Sequence, residues 1–257
     1  MLETAPGMTM FWLLLTGTAF VTSVVSGILG MAGGLILLSA LLWKLEPTVA
    51  IPVHGVVQLV SNAARSWFLR EHVAWRAVLR FILPLLPAGA LGLLLLRWVP
   101  ADAGRFVIGV FVLLATWAPG AFRLDSLRTN PRLGLPIGGA FVGFFSTLVG
   151  ATGPLLAPFI LALDLGAQGT IATLAACQIA QHFSKVLLFG LAGFGFATYG
   201  LAVALLCGAA IAGTATGTRM LRGISKSRFE RVVRWVLTLL AFELLLRGLW
   251  RLLPALR

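Results

Sequence analysis

Apolar and polar positions along this chain fall into long apolar blocks, divided by short polar or glycine-rich stretches. Apolar length, charge and breakers predict helices near 10–28, 33–44, 48–69, 76–98 and 103–122. A polar connector from Arg123 to Arg132 follows, and then helices near 134–149, 154–164, 168–189, 194–220 and 229–253. A nearly uncharged block of about twenty residues can cross a hydrocarbon core about 30 Å thick. Blocks 33–44 and 154–164 are too short to do so as helices. Each follows a glycine-rich break, Gly30 to Gly34 in one case and Gly150 to Pro154 in the other. Glycine is a poor residue for a helix interior, so a break placed twice calls for a reason.

A shift of 120 residues turns the two breaks into a repeat. Ser26 falls on Ser146, Gly30 on Gly150, Gly33 on Gly153, Gln58 on Gln178, Asn62 on His182 and Arg65 on Lys185. The register holds for about forty residues without a gap, and polar residues meet polar ones inside apolar stretches. Leucine matches are cheap in such a composition, whereas Gly and Gln matches are not. The chain therefore divides into a first repeat (1–122), a connector (123–133) and a second repeat (134–257).

Composition narrows the class. Of 257 residues 59% are hydrophobic and 11% charged, too little charge to coat a soluble domain of this length. The expectation is an all-α polytopic membrane protein. Its first apolar run has no small-residue cleavage site after it and reads as a retained span. The net charge of +12 comes from Lys and Arg in short loops flanking apolar segments. This is the usual mark of a cytoplasmic membrane face, not of a nucleic-acid partner.

Loop charge also bears on how the halves are related. Residues 65–80 hold Arg65, Arg70, Arg76 and Arg80, while the matching stretch 185–200 holds only Lys185. Conversely 97–105 holds two arginines and its counterpart 219–234 holds six basic residues. Matching loops with opposite bias imply opposite membrane faces, hence two inverted repeats, each of three long spanning helices plus a broken-helix hairpin. Loops 70–76, 123–132 and 220–228 then face the cytoplasm and both termini face outward. Arg247, Arg251 and Arg257 are the misfit, being at the outer end of the last helix.

Inverted repeats with interrupted helices point to a transporter whose site lies near mid-membrane. Non-helical backbone cannot face lipid, and the N-terminus of the helix after a break presents free N–H groups and a positive dipole end to an anion. The candidate substrate-binding residues are Gly30, Gly33 and Gly34 at one break and Gly150, Thr152 and Gly153 at the other. The next helix of each half adds Gln58, Asn62 and Arg65, or Gln178, His182 and Lys185, spaced i, i+4 and i+7 on one face. His54 shares that face, and Gln181 and Ser184 lie beside it. Polar groups inside a span are costly and mark a bundle interior or aqueous path. With no carboxylate nearby in sequence, the cavity should favour an anion, Arg65 and Lys185 drawing it in from opposite faces. His182 is the candidate carrier should protons be a partner.

At these residues the chain resembles the TauE/SafE sulfite exporter family, also called the toluene-sulfonate uptake permease family. The stretches that carry the resemblance are SGILGMAGGLILLSALL, from Ser26, and STLVGATGPLLAPFIL, from Ser146. Family motifs often carry a later proline; the second stretch has it at Pro158 and the first has Leu38 there. The resemblance implies a secondary transporter moving small sulfur-containing anions (sulfite, sulfonates, sulfoacids) by alternating access, without a nucleotide-driven step.

Other classes lack their parts. No P-loop lysine motif appears, and no cofactor or metal is expected. The three histidines have no carboxylate cluster beside them, and none of the eight acidic residues forms a mid-span pair, so enzyme chemistry is not expected. Cys177 and Cys207 form no CxxC pair and read as small packing residues. A gated anion channel is the alternative; it would need a continuous polar path, where these spans are polar mainly around one zone.

Overall fold

A computed structural model describes residues 6–29, 32–118, 131–220 and 226–252. Gly30, one of the candidate site residues, lies outside them, as does most of the connector. The described residues are all helical apart from turns. The first half contains α1 (Pro6–Leu29), α2 (Ala32–Leu42), α3 (Pro47–Phe68), α4 (Trp75–Ile82), α5 (Leu85–Leu96) and α6 (Ala101–Trp117). The second contains α7 (Pro131–Leu148), α8 (Gly153–Leu161), α9 (Gly166–Leu191), α10 (Gly200–Met220) and α11 (Lys226–Leu252). Every predicted block thus has its helix, with one difference. Block 76–98 is not one rod but α4 and α5, bent by 41° at Leu83–Pro84. Pro84 has no N–H to give and its ring crowds the preceding turn, which breaks the ladder there.

Among the described residues, α1, α9 and α10 are long and apolar enough to cross a membrane, and α4 with α5 makes a fourth if the bent pair is one span. Helix α6 is short at 17 residues, while the polar face of α3 and the arginines of α11 lower their hydropathy. The outer surface is rich in large apolar side chains such as Leu83, Leu91, Leu191, Leu201 and Leu239. The interior buries Gln58, Asn62, Arg65, Gln178, His182 and Lys185. Polar groups turned inward and apolar ones outward suit a polytopic membrane protein, in which lipid rather than water touches the outside.

The helices pair across the halves in a matched way. Helix α1 packs on α10, and α4–α5 pack on α7; α3 packs on α9, and α6 on α11. Close approaches give the directions. Gly213 lies against Phe20 and Gly217 against Val24, so residue numbers rise together and α1 and α10 run parallel. Gly139 lies against Phe81 and Gly143 against Leu85, so α7 runs parallel to α4–α5. In the other two pairs the numbers run oppositely. Gly55 meets Lys185 and Val186 while Arg65 meets Gln178; Gly109 meets Ala241 while Gly248 meets Asp102. Helices α3 and α9 are therefore antiparallel, as are α6 and α11.

Candidate functional site

Both breaks sit beside the α3–α9 crossing. Helix α1 ends at Leu29 and α2 folds back on it, with Gly33 against the Thr22 carbonyl and the Ser26 hydroxyl. In the second half Gly150 has φ +90°, a left-handed conformation that glycine adopts without a Cβ penalty. The Thr152 carbonyl then accepts the N–H groups of Leu155 and Leu156 at 3.0 and 3.2 Å, which starts α8. Pro154 follows in the first turn, where a missing donor costs little.

A break leaves carbonyl groups at the end of the preceding helix without helical partners. A buried cation reaches each of these ends. Arg65 Nη1 donates to the Ser26 carbonyl at 2.9 Å, and Lys185 Nζ donates to the Gly150 carbonyl. Positive charge at a helix C-terminus also suits its dipole. These two residues lie 120 positions apart and make equivalent contacts. Both are enclosed by the protein, Arg65 being 3% exposed and Lys185 fully buried.

Between the breaks lies a narrow cavity of about 10 Å³, lined by Ser26, Gly34, His54, Gln58, Arg65, Ala151, Thr152, Gly153, Gln178 and His182. That is room for a single water. Arg65 Nη2 spans the crossing, donating to Asn62 Oδ1 and, at 3.4 Å, to Gln178 Oε1. Gln181 Nε2 donates to Thr152 Oγ1 at 2.7 Å, holding the start of α8 against α9. His54 Nε2 meets the Gly34 carbonyl at 2.9 Å, and the His54 ring stands edge-on to His182 with centroids 5.7 Å apart. The two Nδ1 atoms are buried and without a hydrogen-bond partner. Among the described residues no Asp or Glu lines the cavity. It offers amide and guanidinium donors, ring nitrogens and a helix start, a set matched to a small oxyanion. Among the described residues no three His, Cys, Asp or Glu side chains come together as a metal site would require.

The candidate residues from the sequence divide accordingly. Gly34, Gln58, Arg65, Thr152, Gly153, Gln178 and His182 line the cavity. Gly33, Asn62, Gly150 and Lys185 stand behind it, as packing, buttress and caps. Ser26, His54 and Ala151 line it although they were not among the candidates. The signals were present: Ser26 pairs with Ser146 in the repeat, and His54 lies one turn from Gln58 on the same face.

Comparison with known proteins adds one match. No curated protein and no solved structure matches the chain. The family model described as Sulfite exporter TauE/SafE matches residues 15–244. With most of its length covered by that model, the chain belongs to the TauE/SafE sulfite exporter family.

Proposed function

We propose that this protein is a secondary transporter that moves a small sulfur-containing oxyanion across a bacterial inner membrane by alternating access. Membership of the family makes it a membrane transport protein, not an enzyme. The observation that carries the finer reading is the meeting of Gln58 and Gln178, one from each half, with Arg65 and the first residues of α8 in a cavity that no described Asp or Glu lines. The anion sits between the two breaks, held by both amides, the guanidinium and the backbone N–H groups of Thr152 and Gly153. Antiparallel α3 and α9, together with the opposite charge of matching loops, support inverted repeats of 1–122 and 134–257 joined by 123–133. The halves then rock about their shared crossing to open the cavity to either face. At about 10 Å³ the cavity has room for one water, so the anion enters it only as the halves move apart. Coupling to protons through His182, whose ring adjoins that of His54, and export down the membrane potential are the two driving forces compatible with this site.

The test is a thermal-shift binding screen of the purified protein against sulfite, sulfonates, sulfoacids and carboxylates. A sulfur oxyanion should raise the melting temperature most. Charge-assisted hydrogen bonds contribute about 1.5–3 kcal/mol each, so Gln58→Ala and Gln178→Ala should each weaken binding about ten-fold or more. Unchanged affinity in both variants would remove the anion from this cavity.

A further inference from the structure

The repeat marks a second site by a mismatch. In α8 the Phe159 ring lies on Gly138 of α7, 2.9–3.0 Å from where a Cβ there would stand, and both Phe159 and Ile160 are buried. The 120-residue shift puts Ser39 and Ala40 of α2 in the places of Phe159 and Ile160, and Thr18 of α1 in that of Gly138. Two large apolar side chains thus become small. The space remains open as an apolar groove of about 450 Å³ between α1, α2 and α11, whose lining includes Leu15, Ile36, Trp43, Val236 and Leu240. It opens on the apolar outer surface beside exposed Leu14, Leu239 and Phe242.

Ser39 also lines the groove. It is 1% exposed, and its Oγ has no hydrogen-bond partner. A buried hydroxyl requires a partner, and side chains lining an unfilled groove forgo dispersion contacts. Where α2 finishes, Glu243 lines the groove and two cations stand just beyond its lining. Lys44 reaches over the Phe11 ring at 5.4 Å, and Arg247 donates to the Trp43 carbonyl at 2.7 Å while pairing with Glu243. Ser39 precedes Lys44 by five residues, roughly 7.5 Å along a helix axis. A glycerol backbone separates its phosphate from its ester carbonyls on that scale.

We propose that this groove is a phospholipid site, with one acyl chain along α2, an ester carbonyl accepting the Ser39 hydroxyl, and the phosphate at Lys44 and Arg247. The lipid then backs the short helix whose other face, through Gly34, lines the central cavity. The site does not depend on which anion is carried.

Native mass spectrometry of the full chain, stripped of lipid and incubated with phosphatidylglycerol, reads the occupancy. The wild type should carry one lipid more than Thr18→Gly/Ser39→Phe, which transplants the packing of the second half. Lys44→Gln/Arg247→Gln should lower the same occupancy about ten-fold. Equal lipid in wild type and filled variant, or a groove that takes detergent alone, overturns the assignment. Should the filled variant melt early or elute as aggregate, Ser39→Leu alone takes its place, with the same two outcomes.

Discussion

Gly33 and Gly34 are neighbours in one motif, yet they answer to different constraints. A Cβ on Gly33 would run into the Thr22 carbonyl and the Ser26 hydroxyl, backbone and side chain of α1 that cannot both yield. A Cβ on Gly34 would meet only the Gln58 amide, at 3.4–3.5 Å, an ordinary contact. Gly33→Ala should therefore lower the melting temperature, at a cost of about 1–3 kcal/mol typical of overpacking. Gly34→Ala should melt like the wild type but bind anion more weakly, because its methyl takes up space in the narrow cavity that Gly34 lines. Thermal melts with and without the anion separate the two, and equal melting of both variants would show that the α1–α2 contact is not as tight as the geometry implies. At this scale much of the site was legible. Helical spacing put Gln58 with Arg65 and Gln178 with His182, since i, i+4 and i+7 share a face whatever the rest of the fold does. Spacing could not tell a lining residue from a cap. Lys185 has the spacing of a ligand, but it stands outside the cavity lining and donates to the Gly150 carbonyl, a partner 35 positions away.

Among the described helices, glycines make several close crossings. Gly213 and Gly217 of α10 lie on the Phe20 and Val24 backbone of α1, and Gly139 and Gly143 of α7 lie on that of Phe81 and Leu85. In a bilayer, where apolar burial drives helix association little, close backbone approach is a main source of packing energy. Gly213→Leu should accordingly cost several degrees of melting temperature. Gly208→Leu, on the same helix with nothing within 4 Å of its Cβ, should stay within about 0.5 kcal/mol of wild type. If both are neutral in a melt, the α1–α10 crossing contributes little. Which glycines break a helix and which pack one was only partly visible beforehand. The breaks stood out because a truncated apolar block followed each. The packing glycines stayed hidden because their partners lie on helices far away in sequence. The bend between α4 and α5 had its signal in Pro84, although the apolar pattern ran through it unbroken.

For the whole molecule, topology is the property to test. The exposed Arg70, Arg76 and Arg80 mark one end of the bundle, and the charge rule assigns that end to the cytoplasm. Glu71→Cys, in a chain with Cys177 and Cys207 replaced by Ala, should react with a membrane-impermeant maleimide only in inside-out vesicles. Trp98→Cys, one membrane crossing later, should react only from the other side. Labelling of both from the same side would rule out an odd number of crossings between them and with it the inverted arrangement. The amino-acid sequence by itself determined the polytopic helical class, and where the short helices α2 and α8 follow their glycine-rich breaks, because hydropathy, spacing and glycine content act locally and the lipid solvent leaves few alternatives. Only the tertiary structure decided that α1 pairs with α10 and α3 with α9, that Arg65 and Lys185 cap the broken ends, and that an open groove stands where the second half has a phenylalanine. These depend on contacts between residues far apart in the chain, where the fit of one surface to another, not the character of either alone, sets the outcome.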